Sequence, residues 1–282
     1  MKDQLKQLLK ALCYLLLFFG MQILVSLLLT FALGARYAYN AVADGIDPSL
    51  DIFMEGFTEY ILDKVTMMSG VAGILTIVFL WIFFSIRKKK FTTEAYIVRF
   101  DKNRIIPIVL LALALSVFIS TALSLVPIPE SVIKSYAEST KGILSGSAPI
   151  IIISVVIVAP IVEEVIFRGL ILSRLKTVMN TTAALIISSA LFAIMHGHIL
   201  WIAYTFLVGI IFGIVALKNK SIVASIMLHL IFNLVGLYVG RIPFSQNGLI
   251  VACLVSFVLS GVLLYHSSYS GSKLIDKEEV LE

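Results

Sequence analysis

Two adjacent carboxylates and an arginine lie within one long apolar stretch of the sequence. Glu163 and Glu164 belong to a run that begins near Ala148, and Arg168 follows Glu164 by four residues. Charges near mid-bilayer cost about 2.5–3.5 kcal/mol each on insertion scales, so they are expected to be paired or to face a protein interior. An acid four residues before a base is the favoured helical ion pair. The spacing therefore predicts a structural Glu164–Arg168 pair and leaves Glu163, about 100° around the helix, free for chemistry.

Histidine and asparagine side chains supply the other candidate groups. His196 follows Phe192 by four residues, and Asn233 follows His229 by four. Residues four apart share a helical face, so His229 and Asn233 are expected to point at one substrate group. A lone histidine in a membrane helix is also often a hydrogen-bonding partner between helices, and Asn233 can bridge helices in the same way. Both interpretations stay open at this point.

The composition is typical of an integral membrane protein. Of the 282 residues, 60% are hydrophobic and 14% are charged, whereas about a quarter are charged in a soluble domain. The net charge of +5 comes from basic residues at the ends of apolar runs, which argues against nucleic-acid binding. Cys13 and Cys253 fit no metal spacing and are expected to pack as free thiols. His198 and His266 lie at predicted interfaces and are expected to take no part in the chemistry.

Apolar runs predict an all-α membrane helix bundle with eight transmembrane helices, since a span needs about 20 apolar residues. The predicted spans are 11–35, 65–86, 105–126, 148–172, 181–196, 202–217, 221–240 and 248–265. The acidic segment 36–64 is expected to be an external loop. The segment 127–147 is expected to be a second one that can hold a short interfacial helix. Gly209 and Gly213 form a GxxxG pattern, which predicts close helix packing, and Gly236 and Gly240 are expected to act similarly.

Basic loops predict the orientation of the bundle. The loop 87–104 holds seven basic residues and two acidic ones, so the positive-inside rule makes it cytoplasmic. The basic residues at 174, 176, 218 and 220 fall on the same side in this arrangement. Eight spans then place both termini in the cytoplasm, and the predicted protein is a multi-pass protein of the cell membrane.

Three motifs taken together resemble the CPBP family, the CAAX-protease and bacteriocin-processing (Abi) intramembrane proteases. They are Glu163-Glu164-x-x-x-Arg168, Phe192-x-x-x-His196 and His229-x-x-x-Asn233, each on its own apolar run. The resemblance covers 148–240, which we interpret as the catalytic core. Residues 1–147 are then N-terminal helices and loops, and 241–282 form a last helix with a cytoplasmic tail.

The resemblance implies an intramembrane endopeptidase without a soluble catalytic domain. It implies that Glu163 and His196 activate a water, and that His229 and Asn233 stabilise the oxyanion. General chemistry agrees, because peptide hydrolysis needs a base and also donors aimed at the developing negative oxygen. Zinc stays open: Glu163, His196 and His229 could hold it with a free fourth position, and a metal-free glutamate mechanism uses the same residues. The HExxH motif is absent, and the Asn233–His229 spacing favours the glutamate mechanism.

The expected partners are a peptide or membrane-protein substrate, such as a bacteriocin precursor, and membrane lipid. The alternative is a non-catalytic immunity or regulatory membrane protein that binds a partner such as a sensor kinase. A proton-coupled transporter is disfavoured because the sequence shows no inverted repeat. A serine protease is disfavoured because no GxSG motif is present, and the presenilin type because no pair of intramembrane aspartates is present.

Overall fold

Helices make up the regular structure of the computed structural model, which describes residues 2–45, 50–240 and 242–278. Within those ranges there is no β-strand. Seven helices in the same ranges are long and apolar enough to cross a membrane. The predicted fold class, an all-α polytopic membrane bundle, is therefore confirmed.

Ten helices follow one another along the described chain, and two short helical turns, Phe91–Glu94 and Lys102–Arg104, lie between the third and fourth. The helices are α1 (Lys2–Ala43), α2 (Leu50–Leu62), α3 (Val65–Ile86), α4 (Ile105–Leu125), α5 (Glu130–Ile143), α6 (Ala148–Leu175), α7 (Thr181–Ile194), α8 (Ile199–Lys218), α9 (Ile222–Val239) and α10 (Gln246–Glu278). The seven candidate spans lie in α1, α3, α4, α6, α8, α9 and α10.

Helix α7 accounts for the difference between the eight predicted spans and these seven. It begins after Asn180, whose side chain accepts a hydrogen bond from Ala183 N, and it ends at Ile194. Its 14 residues reach roughly 21 Å at 1.5 Å per residue, which is short of a hydrocarbon core of roughly 30 Å. The predicted span at 181–196 thus loses its last turn, and His196 lies in the turn after the helix.

The two segments predicted to be external loops are largely helical. Helix α1 continues to Ala43 and α2 fills much of the rest of 36–64, while α5 lies within 127–147. In α2, Phe53, Phe57 and Tyr60 all pack against Tyr37 of α1. Glu55 and Glu59 of α2 are exposed, and the acidic residues obscured this helical pattern in the sequence.

Helix α6 lies at the centre of the bundle. All residues of its segment Val165–Leu172 are buried, as expected for a helix that is apolar around its whole circumference. It contacts α1, α3, α7 and α9. A second apolar cluster, which includes Ile108, Phe212 and Leu228, packs α4 against α8 and α9. The central helix is therefore the one that carries the carboxylates.

Two π-helical segments interrupt α6, Ile152–Val158 and Val165–Leu172. The widened turns bring α6 close to α3, where a Cβ at Gly70 would lie 2.3 Å from Ser154 Oγ. In the first segment Ala159 N donates to Ser154 O, the i to i+5 pattern of a π-helix. The next carbonyl, that of Val155, would need the N–H of Pro160, and proline has none. The sequence thus leaves Val155 O without a partner on its own helix.

Candidate active site

Glu164 and Arg168 form a buried ion pair, as predicted. Arg168 Nη1 lies 2.9 Å from Glu164 Oε1, and the side chains are 1% and 0% exposed. Arg168 Nη2 donates to Gly209 O at 2.9 Å. The guanidinium also lies over the ring of Phe192, 4.3 Å from its centroid. These contacts neutralise the buried charge and join α6 to α8.

The GxxxG prediction on α8 is confirmed as a packing feature. A Cβ at Gly209 would lie 3.1 Å from the Phe192 ring and 3.2 Å from Arg168 Nη2. A Cβ at Gly213 would lie 2.2 Å from Leu185 of α7. Because these positions lack side chains, α8 approaches closely enough for its backbone to accept from Arg168. Gly240 was predicted to act similarly, but nothing lies within 4 Å of a Cβ placed there.

His229 lies between the two glutamates. Its Nδ1 is 3.0 Å from Glu164 Oε1, and its Nε2 is 3.8 Å from Glu163 Oε2. Because an ionised carboxylate only accepts, we assign the Nδ1 hydrogen to the bond with Glu164. The ring packs on Phe212, 4.7 Å between centroids. Nothing in the local sequence indicated the Glu164 contact, since the two residues are 65 positions apart.

Glu163 is the more accessible of the two carboxylates. Its side chain is 17% exposed, whereas that of Glu164 is fully buried. The separation of 3.8 Å from His229 Nε2 exceeds a hydrogen bond, and Glu163 makes no hydrogen bond to another residue in the described ranges. Glu163 thus has the free carboxylate that the sequence predicted, with an imidazole beside it.

His196 is held by the end of α7. Its Nδ1 lies 2.9 Å from Phe192 O, so Nδ1 donates and Nε2 is left as the free ring nitrogen. The imidazole packs edge-on against the Phe192 ring at 4.9 Å, and that ring also contacts His229 at 5.9 Å. Phe192 therefore positions both histidines. Gly197, at φ +73°, makes the turn that follows.

Asn233 is bonded to the backbone of α6 rather than to either carboxylate. Its Nδ2 donates to Val155 O at 3.0 Å, which is the carbonyl that Pro160 leaves unpaired on α6. His229 and Asn233 each contact α6, and their convergence on one substrate group stays a prediction. The amide nitrogen carries two hydrogens, so one of them is not used by Val155.

The three candidate zinc ligands do not form a metal-binding group as placed. Among the residues that the structure describes, no cluster of three or more His, Cys, Asp or Glu side chains could hold a metal ion. His229 and His196 each use Nδ1 for a bond within the protein, which leaves both Nε2 atoms without a hydrogen bond among the described residues and keeps zinc an open question. Cys13 and Cys253 are free cysteines, as predicted.

Comparison with known proteins finds a similarity in part of the chain. Residues 145–235 match the family model described as "Type II CAAX prenyl endopeptidase Rce1-like". The CPBP resemblance is confirmed. A stretch of 99 residues is 34% identical to the Bacillus subtilis protein named "Putative membrane peptidase YdiL". That alignment covers 34% of this chain and 41% of the relative, so it spans less than half of either protein. No solved structure matches the chain.

A segment outside the Rce1-like match also holds the site together. Ile222 N donates to Tyr96 O at 3.0 Å, and Ser221 Oγ donates to Val98 O at 2.6 Å. A Cβ at Gly169, next to Arg168, would lie 2.7 Å from Ala95 O. We call residues 91–98 the strap, because they connect α6 to the start of α9. Sequence reasoning missed the strap because its contacts are made by backbone carbonyls.

His198 has a structural position next to the site. Its Nδ1 accepts from Leu200 N at 3.2 Å and so caps the start of α8. Its ring packs against Tyr136 of α5 and Trp201 of α8, with centroids 5.5 and 5.7 Å away. These contacts join α5 to the turn that carries His196.

Proposed function

We propose that this chain is an intramembrane endopeptidase that hydrolyses a membrane-proximal peptide or protein precursor. The observation that carries the proposal is the partly exposed Glu163 carboxylate 3.8 Å from His229 Nε2, in a site otherwise closed by buried side chains. A free carboxylate beside an imidazole is suited to activating water. The Rce1-like match and the name of the relative support the same reaction class.

In the proposed reaction Glu163 takes a proton from water as the water oxygen attacks the scissile carbonyl carbon. The free Nε2 of His196 helps to orient that water. The C–N bond of the tetrahedral intermediate then breaks, and the proton on Glu163 passes to the leaving nitrogen. Such general base catalysis contributes about 10²–10⁴-fold.

His229 and Asn233 are the proposed oxyanion donors. His229 Nδ1 is held by Glu164, and Nε2, the ring nitrogen proposed to carry the donating hydrogen, lies on the Glu163 side of the ring. The spare amide hydrogen of Asn233 is the second donor. Donors of this kind act strongly in a water-poor site because they are already oriented before negative charge develops.

The test compares the wild type with Glu163→Gln in two settings. In cells, the peptides that accumulate with each protein are compared; in vesicles that contain the purified protein, cleavage is measured directly. Glutamine keeps the shape and removes the base, so cleavage is expected to fall at least about 10²-fold. Glu55→Gln, an exposed change in α2, is the matched control and should leave cleavage unchanged. Equal product from both variants would contradict the proposal and favour the non-catalytic immunity or regulatory protein.

We further propose that no resident metal takes part. Protein treated with a chelator should then retain full cleavage activity, and zinc analysis should find well below one equivalent. Reversible loss of activity with the chelator would instead assign zinc to Glu163, His196 and His229.

We propose that α7 crosses the membrane together with the seven candidate spans, because it runs from the basic end of the bundle to the turn where His198 packs on Tyr136 of α5. Eight crossings with a cytoplasmic basic end place both termini on the cytoplasmic side of the cell membrane. The test uses a background with Cys13 and Cys253 changed to serine. Glu138→Cys on α5 should react with an impermeant maleimide in intact cells. Lys90→Cys should react only after permeabilisation, and the reverse pattern would overturn the orientation.

A further inference from the structure

A cavity opens at the basic end of the bundle, separate from the Glu163 side of the site. Its volume is about 450 Å³. It lies between the strap, the end of α6, and the junction of α8 with α9. Its walls are formed by Tyr96 from the strap, by Arg168, Leu172, Ser173, Lys176 and Thr177 from α6 and its following turn, and by Ala216, Leu217, Lys220, Ser221 and Ile222.

The cavity wall carries positive charge and no carboxylate. Lys176 and Lys220 are exposed, and neither has an ion pair with another described residue. The nearby carboxylate of Glu94 is already bonded to Lys89 and Arg174. Two ammonium groups are therefore available to a ligand, and the charge they would attract is negative.

The serine and threonine hydroxyl groups of the cavity wall are not available as donors to an anionic ligand. Ser173 Oγ donates to Leu170 O, Thr177 Oγ1 to Arg174 O, and Ser221 Oγ to Val98 O. Each hydroxyl hydrogen is thus already used within the protein. The donors left for an anion are the two lysines and the hydroxyl of Tyr96, whose side chain is on the exposed rim.

The inner part of the cavity is apolar and lies at membrane level. Leu172 and Ile222 are each 2% exposed and Ala216 is 7% exposed. The candidate spans that contribute to the cavity end or begin at Leu175, Lys218 and Ile222. A ligand whose anionic group lies at the ends of the spans and whose apolar chains lie in the surrounding lipid matches the position of the two lysines. Basic pockets between membrane helices commonly bind lipid headgroups.

We propose that this cavity binds the phosphate-bearing headgroup of an anionic phospholipid, with Lys176 and Lys220 contacting the phosphate. The glycerol next to the phosphate lies at the mouth of the cavity beside the partly exposed Leu217, and the acyl chains extend from there into the surrounding lipid. The proposal is independent of the peptidase activity. It also gives the strap a second role, since Tyr96 O bonds Ile222 N at 3.0 Å and thereby fixes one cavity wall against another.

Occupancy is expected to act on the site through Arg168. This residue forms the inner wall of the cavity and bonds Glu164, which bonds His229. A lipid that holds α6 and α9 together should stabilise this chain of contacts. Ligand binding to the folded state stabilises it by RT ln(1 + [L]/Kd), so the unfolding temperature should rise with the lipid concentration.

The test measures binding of three probes to the purified full chain by native mass spectrometry and thermal unfolding. The probes are phosphatidylglycerol, phosphatidylcholine with the same acyl chains, and inorganic phosphate. Phosphatidylglycerol should give a saturable one-to-one adduct and raise the unfolding temperature, and the other two should bind at least ten-fold more weakly. Equal binding of phosphatidylcholine would show that the cavity recognises only the apolar part of a lipid. Equal binding of inorganic phosphate would show an anion site that does not recognise lipid. Either result overturns the proposal.

Matched double variants locate the site. Each lysine near an anionic surface contributes about 1 kcal/mol, so Lys176→Gln with Lys220→Gln should weaken phosphatidylglycerol binding about 30-fold. Lys88→Gln with Lys90→Gln removes the same charge from the same end and should leave the adduct intact. Lys176→Arg with Lys220→Arg should retain binding. Equal losses in both glutamine variants would indicate general attraction to the basic end and would overturn the assigned site.

Discussion

His229 Nδ1 and Arg168 Nη1 both contact the same oxygen of Glu164, at 3.0 and 2.9 Å. One buried carboxylate oxygen thus links α6 to α9, while Gly209 O links the same arginine to α8. Glu164 Oε2 has no hydrogen-bond partner among the described residues. Glu164 therefore orients the imidazole next to Glu163, although it was predicted to serve only as the partner of Arg168.

Replacing Arg168 by alanine should reduce folding stability more than it affects the chemistry directly. Removing one member of a buried pair costs about 3–5 kcal/mol, because the other charge stays buried without compensation. Thermal unfolding of the purified protein measures the loss. Adding Glu164→Leu to Arg168→Ala should recover part of it. A stable but wholly inactive Arg168→Ala protein would instead show that Arg168 contacts the substrate or the reacting atoms.

Gly169→Ala should disturb the contact between the strap and α6. The added Cβ would lie 2.7 Å from the backbone oxygen of Ala95, and backbone moves less readily than a side chain. Overpacking of this kind costs about 1–3 kcal/mol. The control is Gly20→Ala, because nothing lies within 4 Å of a Cβ at Gly20. Thermal unfolding should separate the two variants, and equal unfolding temperatures would show that the strap moves freely.

Acid should weaken the contact between the strap and α6 through Glu94. Burial acts to raise the pKa of Glu94, but hydrogen bonds from Lys89 and Arg174 outweigh it and hold that pKa below its ordinary value of 4.5. A carboxyl with a lowered pKa stabilises the fold above the unfolded value, and this contribution is lost as the pH falls through the folded value.

The difference in unfolding temperature between wild type and Glu94→Gln checks this directly. The wild type should be more stable at neutral pH, and the difference should shrink as the pH falls below about 4.5, the ordinary value for glutamate. Glu55→Gln, an exposed change in α2, serves as the matched control. A difference that stays constant across this range would mean that the ionisation of Glu94 does not contribute.

Local spacing predicted the features that depend on one helix. The pair of Glu164 with Arg168 needs only four residues of regular helix, and the close packing at Gly209 needs only small residues one turn apart. The contact of His229 with Glu164 joins positions far apart in sequence, so periodicity carries no information about it. The same limit applies to the strap, whose backbone carbonyls at Ala95, Tyr96 and Val98 have no residue signature.

Irregular helix geometry explains the remaining differences between the structure and the expectations from the sequence. Pro160 was visible in the sequence, but whether Val155 O lacks a partner depends on the π-helical hydrogen-bond pattern that precedes it. A regular α-helix would place its carbonyls differently, and Asn233 would then have no reason to bond there. Similarly, α7 ends at Ile194, so His196 lies in a turn. The sequence pattern alone predicted a helix that continues to His196.

Substitutions at Asn233 test two roles of its amide group, the bond to Val155 O and the proposed donation to the oxyanion. Asn233→Ala leaves Val155 O without a partner, and a buried unsatisfied group costs about 1–3 kcal/mol. If Asn233 is also an oxyanion donor, cleavage per folded molecule should fall about 10²–10³-fold. Asn233→Asp has nearly the same size, but an ionised carboxylate cannot donate to either oxygen, so it should lose both functions.

The two roles separate when stability and turnover are measured on the same samples. Thermal unfolding reports the bond to Val155, and initial cleavage rates corrected for the folded fraction report the oxyanion contact. Leu234→Ala is a suitable control on the same helix, since the Leu234 side chain is 41% exposed. Reduced stability with normal turnover per folded molecule would leave Asn233 as a bridge between α9 and α6, and would assign the oxyanion to His229 alone.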